Sequence, residues 1–263
     1  MDEELYMRRA VRLMSEQELA QLRRAFAEVM ALNDDRGYQF FAALHGLPPP
    51  FYCEHGNPLF LPWHRAYLYM LEQALQDRVP GVTVPWWDWS SPGSRGEGIP
   101  AAYAQPEVDG APNPLFAADV GLPPDMIALV RSRLPGAISD DDPPRTVRDP
   151  DPPGDLPDAA AVQALLEAPT FEDFSLRMED VHNFLHVWVG GSMAQVPTAA
   201  FDPIFWAHHA MVDRIWYLWQ MRHPGQTPSA QLMGQVLAPF QMTVADTLNI
   251  NDLGYDYALQ VVA

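Results

Sequence analysis

Seven of the eight histidines fall into two groups, and both groups lie in apolar segments with helical patterning. His45, His55 and His64 form the first group; His182, His186, His208 and His209 form the second. An imidazole buried among Phe, Trp and Leu side chains costs free energy unless its nitrogens are bound. Repeated across several amphipathic helices, that demand constrains the fold more than any other feature, because the helices must face one another for the imidazoles to share partners. In VHNFLHVWVGG the spacing is i, i+4, so His182 and His186 project from one helical face. In DPIFWAHHAMVDRIW the neighbours His208 and His209 diverge by about 100°, so only one is expected to share a site with that pair. His209 is favoured, since Phe205 one turn back and Asp213 one turn on lie on its face. Two three-histidine sites result.

The remaining pattern supplies the helices to carry them. Ser15 with Glu18 reads as a capping box opening a helix to about Leu32. Residues 38–44 form a second helix with His45 at its end, closed by Pro48, Pro49 and Pro50. Pro62 suits the first position of the next helix, which places His64 in its first turn. Helical patterning returns over residues 171–189 and 204–221. VPWWDW, residues 84–89, reads as core. Residues 93–157, rich in Pro, Gly and Asp, read as a long loop excursion, because the helices beyond it carry the partners of those before it. The closing TVADTLNINDLGYDYALQVVA suggests a short strand or two. The expected fold is mainly α, one domain over residues 1–263 built on a four-helix bundle, with long loops and a few short strands.

Composition limits the partners. The formal charge of −18 argues against nucleic acid or an anionic membrane surface, both of which call for clustered cations. No run approaches the ~20 apolar residues of a membrane span. The charged start, MDEELYMRRAVRLMSEQ, lacks the apolar core of a secretory signal, and Cys53 is the lone cysteine. The expectation is a cytoplasmic protein, or one exported only with a partner.

One buried histidine is more often a hydrogen-bonded core residue than a ligand, and His223, after the last helix, is read that way: exposed and inert. Six on apolar faces point to metal. A di-iron bundle pairs two Glu-x-x-His motifs with two further glutamates, but only Glu179 and His182 make such a motif here. Zinc tolerates three histidines, and copper suits nitrogen ligands at least as well.

The stretch His55-x4-Phe60-Leu61-Pro62-Trp63-His64-Arg65-x2-Leu68-x3-Glu72 resembles the first copper signature of the tyrosinase family, the type 3 copper proteins. Asp202-Pro203-x-Phe205-Trp206-x2-His209-x3-Asp213 resembles the second. His45, His182 and His186 fall where the family places its remaining ligands, and the likeness spans roughly residues 38–221. Tyr255-Asp256-Tyr257 is similar to the tyrosine motif that closes the family's core domain, partnered by an arginine near the start such as Arg8 or Arg9. The chain resembles a bacterial-type core domain with no room afterwards for the C-terminal shielding domain of plant and fungal members. Cys53-Glu54-His55 is similar to the Cys-x-His of fungal tyrosinases and molluscan haemocyanins, where sulfur and ring are joined by a thioether; a plain core thiol is the alternative.

The resemblance implies two copper ions, dioxygen as co-substrate, a small phenolic substrate and a copper-delivery (caddie) protein as the partner to look for. Its activity would be ortho-hydroxylation of monophenols and oxidation of o-diphenols to o-quinones. It assigns Glu179 and Asn183 to a water beside His182 that takes the phenol proton, and Val196 to a gate over the site. Phe205 would pack on a ligand ring, and Asp213 or backbone carbonyls would fix ring tautomers. The rivals are a catechol or o-aminophenol oxidase without monophenolase activity, an oxygen carrier of haemocyanin type, and a metal-storage bundle.

Overall fold

In the computed structural model, which describes residues 5–258, ten helices and four short strands follow one another along the chain. The helices are α1 (Glu16–Met30), α2 (Tyr38–His45), α3 (Phe60–Arg78), α4 (Pro92–Glu97), α5 (Ala101–Ala104), α6 (Pro124–Arg133), α7 (Ala159–Leu166), α8 (Phe171–Val189), α9 (Val196–Ala199) and α10 (Ile204–Arg222). The strands are β1 (Tyr6–Arg8), β2 (Glu107–Val108), β3 (Ala111–Pro112) and β4 (Tyr255–Tyr257). The four-helix arrangement is α2, α3, α8 and α10, with α1 packed outside α3. As expected, the protein is mainly helical with few short strands.

Local chemistry fixes the helix ends. The Ser15 capping box forms, with the Glu18 N–H donating to Ser15 Oγ at 3.2 Å and Glu18 Oε2 accepting from the Ser15 N–H at 2.7 Å. Thr170 Oγ1 likewise accepts from the Asp173 N–H and opens α8. That helix ends where Gly190 and Gly191 take φ of 69° and 52°. A Cβ at these two glycines would sit 2.4 Å from the Asp149 carbonyl oxygen and 2.2 Å from that of Val147, so only glycine lets residues 147–149 pass the turn.

Two boundaries differ from the sequence expectation. Helix α3 begins at Phe60, two residues before Pro62, which puts His64 in the second turn. Proline is tolerated at a third helical position because the first N–H groups of a helix have no intrahelical acceptor. Helix α1 stops at Met30 rather than Leu32.

From Ile204 to Trp216 every residue of α10 is buried. A helix enclosed on all sides belongs at the centre of the domain's core. The aromatic run is core as expected, with Trp86, Trp87 and Trp89 fully buried.

The excursion over residues 93–157 is built rather than loose. It holds α4, α5, α6 and the hairpin β2–β3, whose turn residues Asp109 and Gly110 both have positive φ, as a two-residue hairpin turn requires. It is tied back to α10 through Arg148, which is paired with the buried Asp202. Arg148 also donates to the carbonyls of Tyr103 and Leu115, while Asp202 Oδ1 accepts from the Ile204 N–H at the start of α10. The aspartate of the Asp202-Pro203 motif therefore joins the excursion to a histidine-bearing helix.

Strand β4 pairs in parallel with β1, Arg8 opposite Tyr257. The Arg8 guanidinium donates to Glu72, Asp213 and Tyr257 and lies 3.5 Å above the Tyr255 ring. Arg8, not Arg9, is thus the arginine partner of the tyrosine motif; Arg9 is half exposed and pairs with Glu18.

Candidate metal centre

Five of the six expected ligands come from the bundle: His45 from the last residue of α2, His64 from α3, His182 and His186 from α8, and His209 from α10. His55 arrives on the loop before α3. The Nε2 atoms of His182, His186 and His209 form a triangle with edges of 2.9, 3.2 and 3.4 Å. Metal–imidazole bonds of ~2.0–2.1 Å make edges of about that length around one ion. Around the other centre, the ring centroids of His45, His55 and His64 lie 5.1–5.6 Å apart. The two sets meet directly, for His64 stacks on His209 at 4.6 Å with a 10° interplanar angle.

Four of these rings are aimed from behind. The far nitrogen Nδ1 sits against the carbonyl of Val196 for His45 (3.2 Å), of Phe60 for His64 (2.8 Å) and of Met193 for His186 (2.8 Å). For His182 it sits 3.0 Å from the Asn183 side-chain oxygen. A carbonyl can only accept, so each Nδ1 carries the proton and leaves the Nε2 lone pair free. Close approach makes the first contact possible: a Cβ on Gly46 would lie 2.6 Å from Pro197 Cα, so glycine there lets α9 rest on the end of α2.

The Nε2 atoms of His45 and His64 are buried with no hydrogen-bond partner in the protein. Burial, reinforced in most cases by neighbouring imidazoles, holds the pKa of His45, His64, His182 and His209 well below 6.5, and brings His55 and His186 to about 4. Neutral imidazoles with unsatisfied, converging lone pairs fit a pair of metal ions.

Several sequence expectations need amending. His208 is not turned away from the pair: it is fully buried, stacks on His182 at 5.2 Å and lies 5.1 Å from His186. Because α10 is enclosed, both neighbours point into protein. Neither His208 nitrogen makes a hydrogen bond of ordinary geometry, although the His182 carbonyl raises its basicity slightly against the burial that depresses it. The Asp213 carboxylate is hydrogen-bonded to Arg8, Arg65, Tyr255 and Tyr257 rather than to a ligand ring. Burial would raise its pKa, but Arg65 and Arg8 hold it below the usual carboxylate value, and Tyr255 and Tyr257 donate to it. Tautomer control falls to the backbone carbonyls and Asn183. His223 is half-buried rather than exposed, stacked on Trp219 and bonded to the Leu166 carbonyl.

Phe205 lies where expected, 4.1 Å from the His209 ring and 4.8 Å from His45, against one ring of each set. Cys53, His45 and His55 offer ligand atoms within 4.8 Å of one another, and burial pushes the Cys53 thiol up to about 11.

A cavity of about 310 Å³ opens onto this centre. His45, His55, His182 and His186 form part of its wall, with Glu179, Asn183 and Val196 beside them. Larger clefts of about 710 and 760 Å³ elsewhere are lined by no histidine. Glu179 Oε1 accepts from the Gly56 N–H at 2.6 Å; burial raises this carboxyl's pKa while that bond lowers it.

Residues 35–222 match the common central domain of tyrosinase. The chain belongs to the tyrosinase family. Members of this family bind two copper ions, and the histidine centre described above fits them. Among curated relatives, this tyrosinase-family chain is 34% identical to a tyrosinase of Streptomyces glaucescens over 198 residues, 65% of each protein. It is 32% identical to unit D of the haemocyanin beta-C chain of Helix pomatia over 260 residues, 90% of this chain and 58% of that one. It thus spans less than two thirds of either relative. Among solved structures, a functional unit of octopus haemocyanin superposes with a TM-score of 0.78 at 27% identity, covering 95% of this chain and 67% of that one. A Burkholderia thailandensis tyrosinase superposes with a TM-score of 0.76 at 25% identity, covering 97% and 75%.

Proposed function

We propose that this chain is a dinuclear copper oxidase that ortho-hydroxylates simple monophenols and oxidises o-diphenols to o-quinones with dioxygen. In this reading His45, His55 and His64 hold one copper, and His182, His186 and His209 the other. Bound copper supplies the dioxygen activation that imidazole and carboxylate side chains lack. The protein's own residues position the ring and move the proton. Val196, half exposed at the cavity, limits the bulk that enters.

The observation that carries the monophenolase reading is that Glu179 and Asn183 line the same cavity as the histidines. A monophenol with a pKa near ~10 needs a base to ionise at neutral pH, whereas a catechol loses its first proton more readily. Asn183 spends its side-chain oxygen on His182 Nδ1, which leaves its N–H donors free to orient a water. Glu179 has Oε1 committed to Gly56 and Oε2 open. The water takes the phenol proton and passes one of its own to Glu179.

The similarity to haemocyanins keeps a second reading in play, reversible oxygen carriage without turnover. Oxygen uptake by copper-loaded protein separates the readings. Uptake with both p-cresol and 4-methylcatechol supports the tyrosinase reading; uptake with 4-methylcatechol alone leaves a catechol or o-aminophenol oxidase. Reversible oxygen binding with neither substrate consumed makes it a carrier.

A further inference from the structure

Lysine is among the commonest residues of globular proteins, yet this chain has none: all 16 of its Lys and Arg positions are arginine. The ion pairs do not account for this. Arg24 pairs with Glu28 and Arg177 with Asp173 at i, i+4 spacing on exposed helix faces, and the exposed Arg36 pairs with Asp34, contacts that an ammonium makes as well. The difference lies in reactivity. A guanidinium keeps its proton throughout the physiological range, whereas a lysine amine, with a pKa near ~10.4, has a deprotonated fraction free to attack an electrophile.

The remaining nucleophiles are enclosed. Six of the eight histidines are buried at or beside the metal centre, and His55 is half-buried there. His223, outside the centre, is half-buried, with Nε2 against the Leu166 carbonyl and its ring stacked on Trp219. Cys53, the one thiol, is half-buried and within reach of His45 and His55.

We propose that this chain is built to resist its own product: the o-quinone leaves it as a free electrophile and is consumed by conjugate addition to an amine or thiol on another molecule. The inference rests on the reading that the centre makes quinones, and extends it to what the quinone meets next. In the addition a C–N or C–S bond forms at a ring carbon. The hydrogen of the nucleophile and the one displaced from that carbon end on the two quinone oxygens, which leaves a substituted catechol and needs no outside oxidant. On this chain the α-amino group, with a pKa near ~8, is the one aliphatic amine that can take part.

The test supplies the quinone directly, so it does not depend on turnover. 4-Methyl-o-benzoquinone, prepared chemically and freed of oxidant, is added to the copper-loaded protein at a dose that modifies poly-lysine in the same buffer, and intact mass counts the adducts. The chain should take up at most two, at the α-amino group and Cys53. An Arg24→Lys/Arg36→Lys/Arg177→Lys protein should gain further adducts, mapped by peptide mass to the three introduced amines. Three or more adducts on the unaltered chain, or a triple variant no more modified than the unaltered chain, would each overturn the inference. Oxygen uptake with 4-methylcatechol, measured without added quinone, reports separately on whether the quinone is the protein's own product.

Discussion

Asp213 Oδ1 lies 2.5 Å from Nε of Arg65, with both side chains buried. Arg65 directly follows His64 on α3, and Asp213 stands one turn after His209 on α10, so this ion pair locks the two helices together beside the stacked His64 and His209 rings. Arg8, Tyr255 and Tyr257 close on the same carboxylate. Asp213→Asn leaves the buried Arg65 without its counter-charge and Arg8 with Glu72 alone, which costs about 3–5 kcal/mol. Urea denaturation of the metal-free protein measures this directly. A change below about 1 kcal/mol would show that the cluster does not hold the bundle.

The metal-free protein should lose stability on acidification within a defined window. A histidine whose folded pKa is depressed takes up protons in the unfolded chain before it can do so in the folded one. Its contribution is therefore intact above about 6.5, the unfolded value, and is lost as pH falls toward the folded values of about 4 for His55 and His186. Each unit of depression is worth about 1.4 kcal/mol. Thermal midpoints recorded across this range should fall steeply below pH 6.5, with copper delaying the fall. A flat profile would contradict neutral, buried imidazoles.

How much of this was legible in the sequence follows from distance along the chain. The i, i+4 pair on α8 and the signatures around His64 and His209 are local patterns, so the six histidines and the helices bearing them could be read directly. The long-range contacts could not, because the Val196 carbonyl that aims His45 meets it across 151 residues and Arg8 meets Glu72 across 64. The choice between Asp213 and backbone carbonyls as the groups that fix the ring tautomers stays open in the sequence for the same reason: the spacing of Asp213 from His209 is helical, but its partners arrive from β1, α3 and β4. The burial of His208 depends on α10 being enclosed on every side, which the unbroken apolar run Ile204–Ala207 only hints at.

Glu179→Gln and Asn183→Gly should depress monophenol turnover about a hundredfold more than catechol turnover, the lower end of what a positioned base contributes. Initial rates with p-cresol and 4-methylcatechol at matched copper content give the comparison. Equal losses on the two substrates would sink the base assignment.

In copper-matured protein, Cys53 should be joined to His55, with the sulfur and a ring carbon each losing a hydrogen to the oxidant at copper. The short reach between the two side chains and the Cys-x-His spacing motivate this. Intact mass should be two hydrogens below that of the reduced chain, and a thiol reagent should fail to label the denatured protein. Full labelling at the unaltered mass would leave Cys53 a core thiol, kept protonated by burial.

The central claim is that the two histidine sets act as one dinuclear copper site. Its most direct test is oxygen uptake with 4-methylcatechol while copper is added stepwise to the metal-free protein, with metal content measured at each step. Uptake should stay near zero through the first equivalent, rise with the second and then level off, and His209→Ala should bind one copper and remain inactive. Full activity at one copper per chain, or a His209→Ala protein that still binds two and turns over, would contradict the account.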